Sequence, residues 1–115
     1  AGRRLLFPGD LEEEGEEDLV REQGAGLAVD LVKVPHHGSR TSSSDGFVAA
    51  ARPRWAVISC GAQNPFGFPH PEVVARWRAA GAEVLQTDRA GTVIATVAPD
   101  GRMEVAGLAS RSAAE

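Results

Sequence analysis

Short apolar runs rich in β-branched and aromatic residues alternate with helix-patterned segments along this chain. That alternation restricts it to a layered α/β fold. The apolar runs cover residues 4–7, 28–34, 55–59 and 83–85. Between them, residues 11–22 place Leu11, Leu19 and Val20 along one stripe, with carboxylates crowded at the start. Residues 46–51 form a short helix pattern that Ser44 or Asp45 can cap and Pro53 stops. Residues 71–80 turn Val73, Val74 and Trp77 to one side and end at Gly81. Residues 92–97 and 103–105, joined across Asp100-Gly101, predict an antiparallel hairpin. The predicted order is β-α-β-α-β-α-β-β-β, followed by a patternless, disordered tail.

A chain of 115 residues with 43% apolar content is enough for one hydrophobic core and too apolar for a disordered segment. The formal net charge is −4, and much of it sits in residues 11–22, which hold Glu12, Glu13, Glu14, Glu16, Glu17, Asp18 and Glu22. An all-over nucleic-acid footprint is thereby excluded, although a local groove using Arg40, Arg52, Arg54 or Arg89 is not. Cys60 is the single cysteine, so no intrachain disulfide forms, and its apolar strand reads as core. No apolar run reaches membrane-spanning length and no signal peptide opens the chain. The opening Ala1-Gly2-Arg3-Arg4 runs almost directly into a strand, as expected for a soluble piece of a larger protein.

Three segments that follow predicted strands carry the chemistry. They are Pro8-Gly9-Asp10, His36-His37-Gly38-Ser39, and residues 64–71 with His70. Strand ends on one side of a sheet converge, and loops there aim side chains into a crevice. An aspartate with two or three neutral imidazoles suits a first-row divalent ion such as zinc or manganese. A carboxylate can bridge two such ions, which then polarise a phosphate and generate a hydroxide nucleophile. Ser39, Thr41 or Asp88 could orient the imidazoles. Each motif also has a plainer reading: an exposed histidine pair, a turn aspartate capping a helix, and a histidine that merely precedes Pro71. Three or four ligands also fall short of a complete two-metal site.

The resemblance rests on Leu5-Leu6-Phe7-Pro8-Gly9-Asp10, residues 29–39 ending in His36-His37-Gly38-Ser39, residues 52–61, Asn64, Pro69-His70-Pro71 and Thr87-Asp88-Arg89-Ala90-Gly91. In order and spacing this set resembles the C-terminal half of the metallo-β-lactamase-like domain of ComEC-type competence proteins. The resemblance implies half of an αββα sandwich, one mixed sheet with flanking helices over residues 1–107, which leaves 108–115 as the disordered tail. It implies a bacterial inner-membrane parent whose extracytoplasmic domain degrades the DNA strand that is not imported. Asp10 then matches a bridging aspartate, and one of His36 and His37 a metal ligand, with His37 slightly favoured. His70 matches a site-lining position, as proton donor or phosphate contact, and Ser39 is taken with it as a catalytic candidate. The implied cofactor is a divalent metal. The implied partners are DNA, the missing N-terminal half of the domain and the parent's membrane channel. The family's HxxxDH-type motif is absent from these residues, so the chain carries part of a metal site and is inactive alone. Two other readings stay open: another hydrolase of the superfamily, such as a phosphorylcholine esterase-like enzyme, and a non-catalytic structural module.

Overall fold

The computed structural model describes residues 2–61 and 67–109. Strand β1 (Leu5–Leu6) is followed by α1 (Glu13–Gln23), β2 (Leu31–Lys33), α2 (Asp45–Ala51), β3 (Trp55–Ile58), α3 (Pro71–Ala79) and β4 (Glu83–Gln86). A one-turn helix α4 (Thr87–Ala90) leads to β5 (Val93–Val97) and β6 (Met103–Gly107). The expectations for Asn64 and for the tail beyond residue 109 lie outside the described residues.

The first four strands form one parallel sheet in the order β1-β2-β3-β4. Neighbouring parallel strands need a crossover, and α1, α2 and α3 supply one each. The register aligns Leu5, Leu31, Trp55 and Glu83 in one row and Leu6, Val32, Ala56 and Val84 in the next. Successive residues of a strand point to opposite faces, so these rows belong to different sides of the sheet. Val32, Ala56 and Ile58 pack with Phe47, Val48, Val73 and Trp77 beneath the helices. On the other side Leu31, Trp55 and Leu85 pack with Met103, Val93 and Val105 of the terminal strands.

The layered α/β expectation therefore holds, as does the antiparallel pairing of the last two strands. They do not extend the parallel sheet into a mixed one, however, but make a separate two-stranded sheet. After β4 the helix α4 turns the chain off the sheet edge, and the hairpin lies across the face instead. Among the described residues no helix is long and apolar enough to cross a membrane.

Candidate functional site

At the ends of β1 and β2 two loops are laced together. The His36 N–H donates to the Gly9 carbonyl at 2.9 Å, and the Glu13 N–H donates to the Thr41 carbonyl at 3.0 Å. The Ser42 hydroxyl donates to the Leu11 carbonyl at 2.6 Å. Directly after Pro35 the backbone enters the left-handed region at three successive residues, His36 (φ 51°), His37 (φ 55°) and Gly38 (φ 84°). A non-glycine residue there costs about 1–3 kcal/mol, and such strain concentrates at functional sites. Here it sets two imidazoles side by side on one cleft.

That cleft, of about 710 Å³, is lined by Asp10, His36, His37, Ser59, Cys60 and Phe68. Three strand-end loops thus meet, and the three residues expected to hold metal share one crevice. The Phe68 ring packs among the histidines, with ring centroids 5.8 Å from His36, 6.3 Å from His37 and 5.3 Å from His70.

Hydrogen bonding separates the three histidines by tautomer. His37 Nδ1 lies 2.7 Å from the Ser59 carbonyl oxygen. A carbonyl only accepts, so Nδ1 carries the proton and Nε2 keeps its lone pair. His36 Nδ1 lies 3.2 Å from Glu12 Oε2. Thr41 Oγ1 donates to that same carboxylate oxygen at 2.8 Å, and Ser39 Oγ stands 2.9 Å from Thr41 Oγ1. His36 Nδ1 thus faces the oxygens of Glu12 and Thr41, so in the neutral ring the proton sits on Nδ1 and Nε2 is the lone-pair nitrogen. His70 is the reverse. The Arg40 N–H donates to its Nδ1 at 2.8 Å, so the proton of the neutral ring is on Nε2.

The hydroxyls expected at the site divide. Ser39 is buried and, among the described residues, not on the cleft wall; its contacts support His36 through Thr41. Ser42 and Ser43 are buried structural groups, Ser43 Oγ accepting from Trp77 Nε1 at 3.0 Å. Asp88 does not orient a histidine. Its Oδ1 is buried without a hydrogen-bond partner among the described residues, and the residue lies beside Cys60. Burial pushes the Cys60 thiol up, a hydrogen bond to the Asp88 backbone opposes this, and the Asp88 side chain adds to the rise.

Sequence reasoning missed Glu12, Phe68 and the Ser59 carbonyl. Glu12 stands two residues after Asp10 and was hidden in a run of like residues. Phe68 is an aromatic two positions before His70. No sequence signal marks a backbone carbonyl as the partner of His37.

In kind, the donors fit a first-row divalent ion: an exposed carboxylate and two imidazoles presenting Nε2 lone pairs, each backed through Nδ1. In number they do not complete a site, because among the described residues no three His, Cys, Asp or Glu side chains gather closely enough to hold an ion.

No family model and no solved structure matches the chain. Curated proteins do. Competence protein ComA of Neisseria gonorrhoeae is 42% identical over 92 residues, 80% of this chain and 13% of that protein. The chain is a homologue of part of a competence protein. ComE operon protein 3 of Bacillus subtilis is 36% identical over 92 residues, 80% of this chain and 12% of its own length. Recombination protein 2 of Haemophilus influenzae is 37% identical over 89 residues, 77% of this chain and 11% of its own length. The chain therefore corresponds to about an eighth of the length of these relatives.

Proposed function

We propose that this chain is part of a metal-dependent phosphodiesterase domain of a membrane DNA-uptake protein used in natural transformation. The homology to a competence protein supports the biological setting. The observation that carries the chemistry is the hydrogen bond from His37 Nδ1 to the Ser59 carbonyl, which reserves Nε2 as a lone-pair donor on the cleft shared with Asp10. On this reading residues 1–107 are the C-terminal part of a metallo-β-lactamase-like domain lying outside the cytoplasm. The remaining metal ligands come from outside these 115 residues.

Asp10 and His37 would hold the zinc or manganese, with His36 beside them. When bound, such an ion polarises a phosphoryl oxygen and lowers the pKa of its water. The chain's own groups have definable tasks. Ser59 fixes the ring of His37, and Glu12 and Thr41 fix the ring of His36. His70, held as the Nε2–H tautomer, offers a proton to a phosphate oxygen or a leaving oxygen and is not a ligand. Ser39 is a positioning residue that acts through Thr41.

Titration calorimetry with zinc and manganese, together with cleavage of single- and double-stranded DNA, tests the reading. The 115-residue chain is expected to bind metal weakly and to leave DNA intact. A longer domain that includes the preceding residues of the parent is expected to bind metal and cleave, and Asp10→Ala or His37→Ala abolishes both. Robust metal-dependent cleavage by the short chain, insensitive to both substitutions, overturns the assignment. A longer domain that binds no metal favours the structural-module reading.

A further inference from the structure

Beyond Phe68 the sheet end carries a second cleft, of about 560 Å³, and Phe68 is the partition that lines both. Its composition follows from helix spacing. Pro71, Val74, Ala75 and Arg78 recur along α3 at the three- and four-residue intervals that share one helix face. That face forms one wall of the cleft, and Arg89 of α4 closes the other side. Arg78 and Arg89 also border an adjoining depression over β4, which they share with the carboxylate of Glu83. Both are exposed, and neither has a carboxylate within ion-pair distance among the described residues.

Two unpaired guanidinium groups on one cleft are unusual in a chain whose formal net charge is −4. Like charges held together are unfavourable unless an anion joins them, and arginine is the side chain best shaped to take a phosphate through paired hydrogen bonds. Asp88 also lines this cleft, with its Oδ1 buried and without a hydrogen-bond partner among the described residues. Counting that carboxylate, the two guanidinium groups still leave the lining of the cleft with a net positive charge. The cleft is also lined by the apolar Pro69, Pro71, Val74 and Ala75, with Gln86 beside them. A chain of phosphates with flat apolar groups between them matches this sequence of surfaces, and unstacked nucleotides have that form.

We propose that the cleft lined by Arg78 and Arg89 is a phosphodiester subsite that holds the single strand next to the reacting linkage. The strand passes from the Asp10–His37 cleft over Phe68, with a neighbouring phosphate on the two arginines. This assignment rests on the phosphodiesterase reading for its direction, but its test does not require catalysis.

Binding of a short fluorescein-labelled oligothymidylate to the 115-residue chain is followed by anisotropy across a salt series, with chelator present so that no cleavage occurs. Arg78→Ala/Arg89→Ala is expected to weaken binding about tenfold or more. It is expected to flatten the log–log salt slope by about 1.4, the loss of two single-strand phosphate contacts. Arg21→Ala/Arg102→Ala changes net charge equally on α1 and the hairpin turn and is expected to change the affinity less than twofold. Circular dichroism checks that both variants are folded, and Arg78→Lys/Arg89→Lys is expected to restore part of the affinity. Equal weakening by the control pair, or unchanged binding by the Arg78/Arg89 pair, overturns the subsite. So does loss of binding to phosphatidylglycerol vesicles with oligonucleotide binding kept. A failed cleavage assay on the longer domain counts against the phosphodiesterase reading alone, because the anisotropy measurement is made without turnover.

Discussion

At the scale of single residues, Gly38 shows how tightly the site is drawn. A Cβ there would stand 2.5 Å from Pro69 Cβ and 3.0 Å from Pro69 Cα, on a backbone with φ +84°. The same glycine's carbonyl accepts from the His70 N–H at 3.0 Å, so the close approach locks the His70 loop onto the histidine turn. Gly38→Ala is expected to cost about 1–3 kcal/mol in urea unfolding, from the unfavourable φ and the forced shift of Pro69. The tautomers offer a sharper test. Nitrogen-15 NMR of the neutral rings should find the proton on Nδ1 of His37 and on Nε2 of His70, and the opposite pattern would remove the distinction between ligand and proton donor. Cys60 adds a pH dependence. Burial first, and then the Asp88 side chain, raise its thiol above the ordinary range. A raised value keeps the neutral thiol over more of the alkaline range, so alkylation by iodoacetamide should accelerate only at higher pH than for an exposed cysteine. The associated stability is fully present below the ordinary thiol value and is lost as pH rises through the raised one.

At the scale of elements, α1 and α2 are joined through a carboxylate that looks, in the sequence, like one more solvated charge. Glu16 is fully buried and accepts from the Ser43 N–H at 2.6 Å and the Ser44 N–H at 2.8 Å. These donors stand at the entry to α2, where a helix needs acceptors and where Ser44 makes no side-chain cap of its own. The neighbouring Gly15 lets Leu11 fold over α1, since a Cβ would meet Leu11 Cδ1 at 2.4 Å. Glu16→Ala is expected to destabilise by about 3 kcal/mol, because it strands one buried and one half-buried donor, and Glu16→Gln by less, because one acceptor remains. Guanidinium unfolding of both variants checks the order. Around the same corner Arg76 donates to the Ser43 carbonyl at 2.7 Å and pairs with Asp45 at 3.0 Å, so α3 is tied to the same turn.

At the scale of the whole molecule, the parallel sheet is covered on one side by helices and on the other by the β5–β6 hairpin. Met103 is 6% exposed and packs with Leu31, Trp55 and Leu85, while Arg3 Nε donates to the Gly101 carbonyl at 2.6 Å and pins the hairpin turn near β1. Met103→Ala is expected to cost about 2–5 kcal/mol, the range for truncating a buried large side chain. Thermal unfolding should show the loss, with Trp55 fluorescence shifting as its surroundings open. An unchanged melting temperature would mean that the hairpin contributes little to that face.

The alternation of apolar runs with helical patterns determined the α/β class and the convergence of Asp10, His36 and His37 at strand ends. These follow from periodicity and from the geometry of crossovers, which are local properties of a sequence. Which hydroxyl supports a histidine, which carboxylate is buried and which ring nitrogen keeps its lone pair depend on partners 22 to 30 residues away, as in His37 with Ser59, Glu16 with Ser43 and Ser44, and Arg40 with His70. Those pairings exist only once the strands are in register, because a hydrogen bond is decided by where two distant backbones meet. The placement of the hairpin over the sheet was decided in the same way. An antiparallel pair can prolong a sheet or lie across it with the same residue pattern, and here the apolar face left by Leu31, Trp55 and Leu85 chose between them.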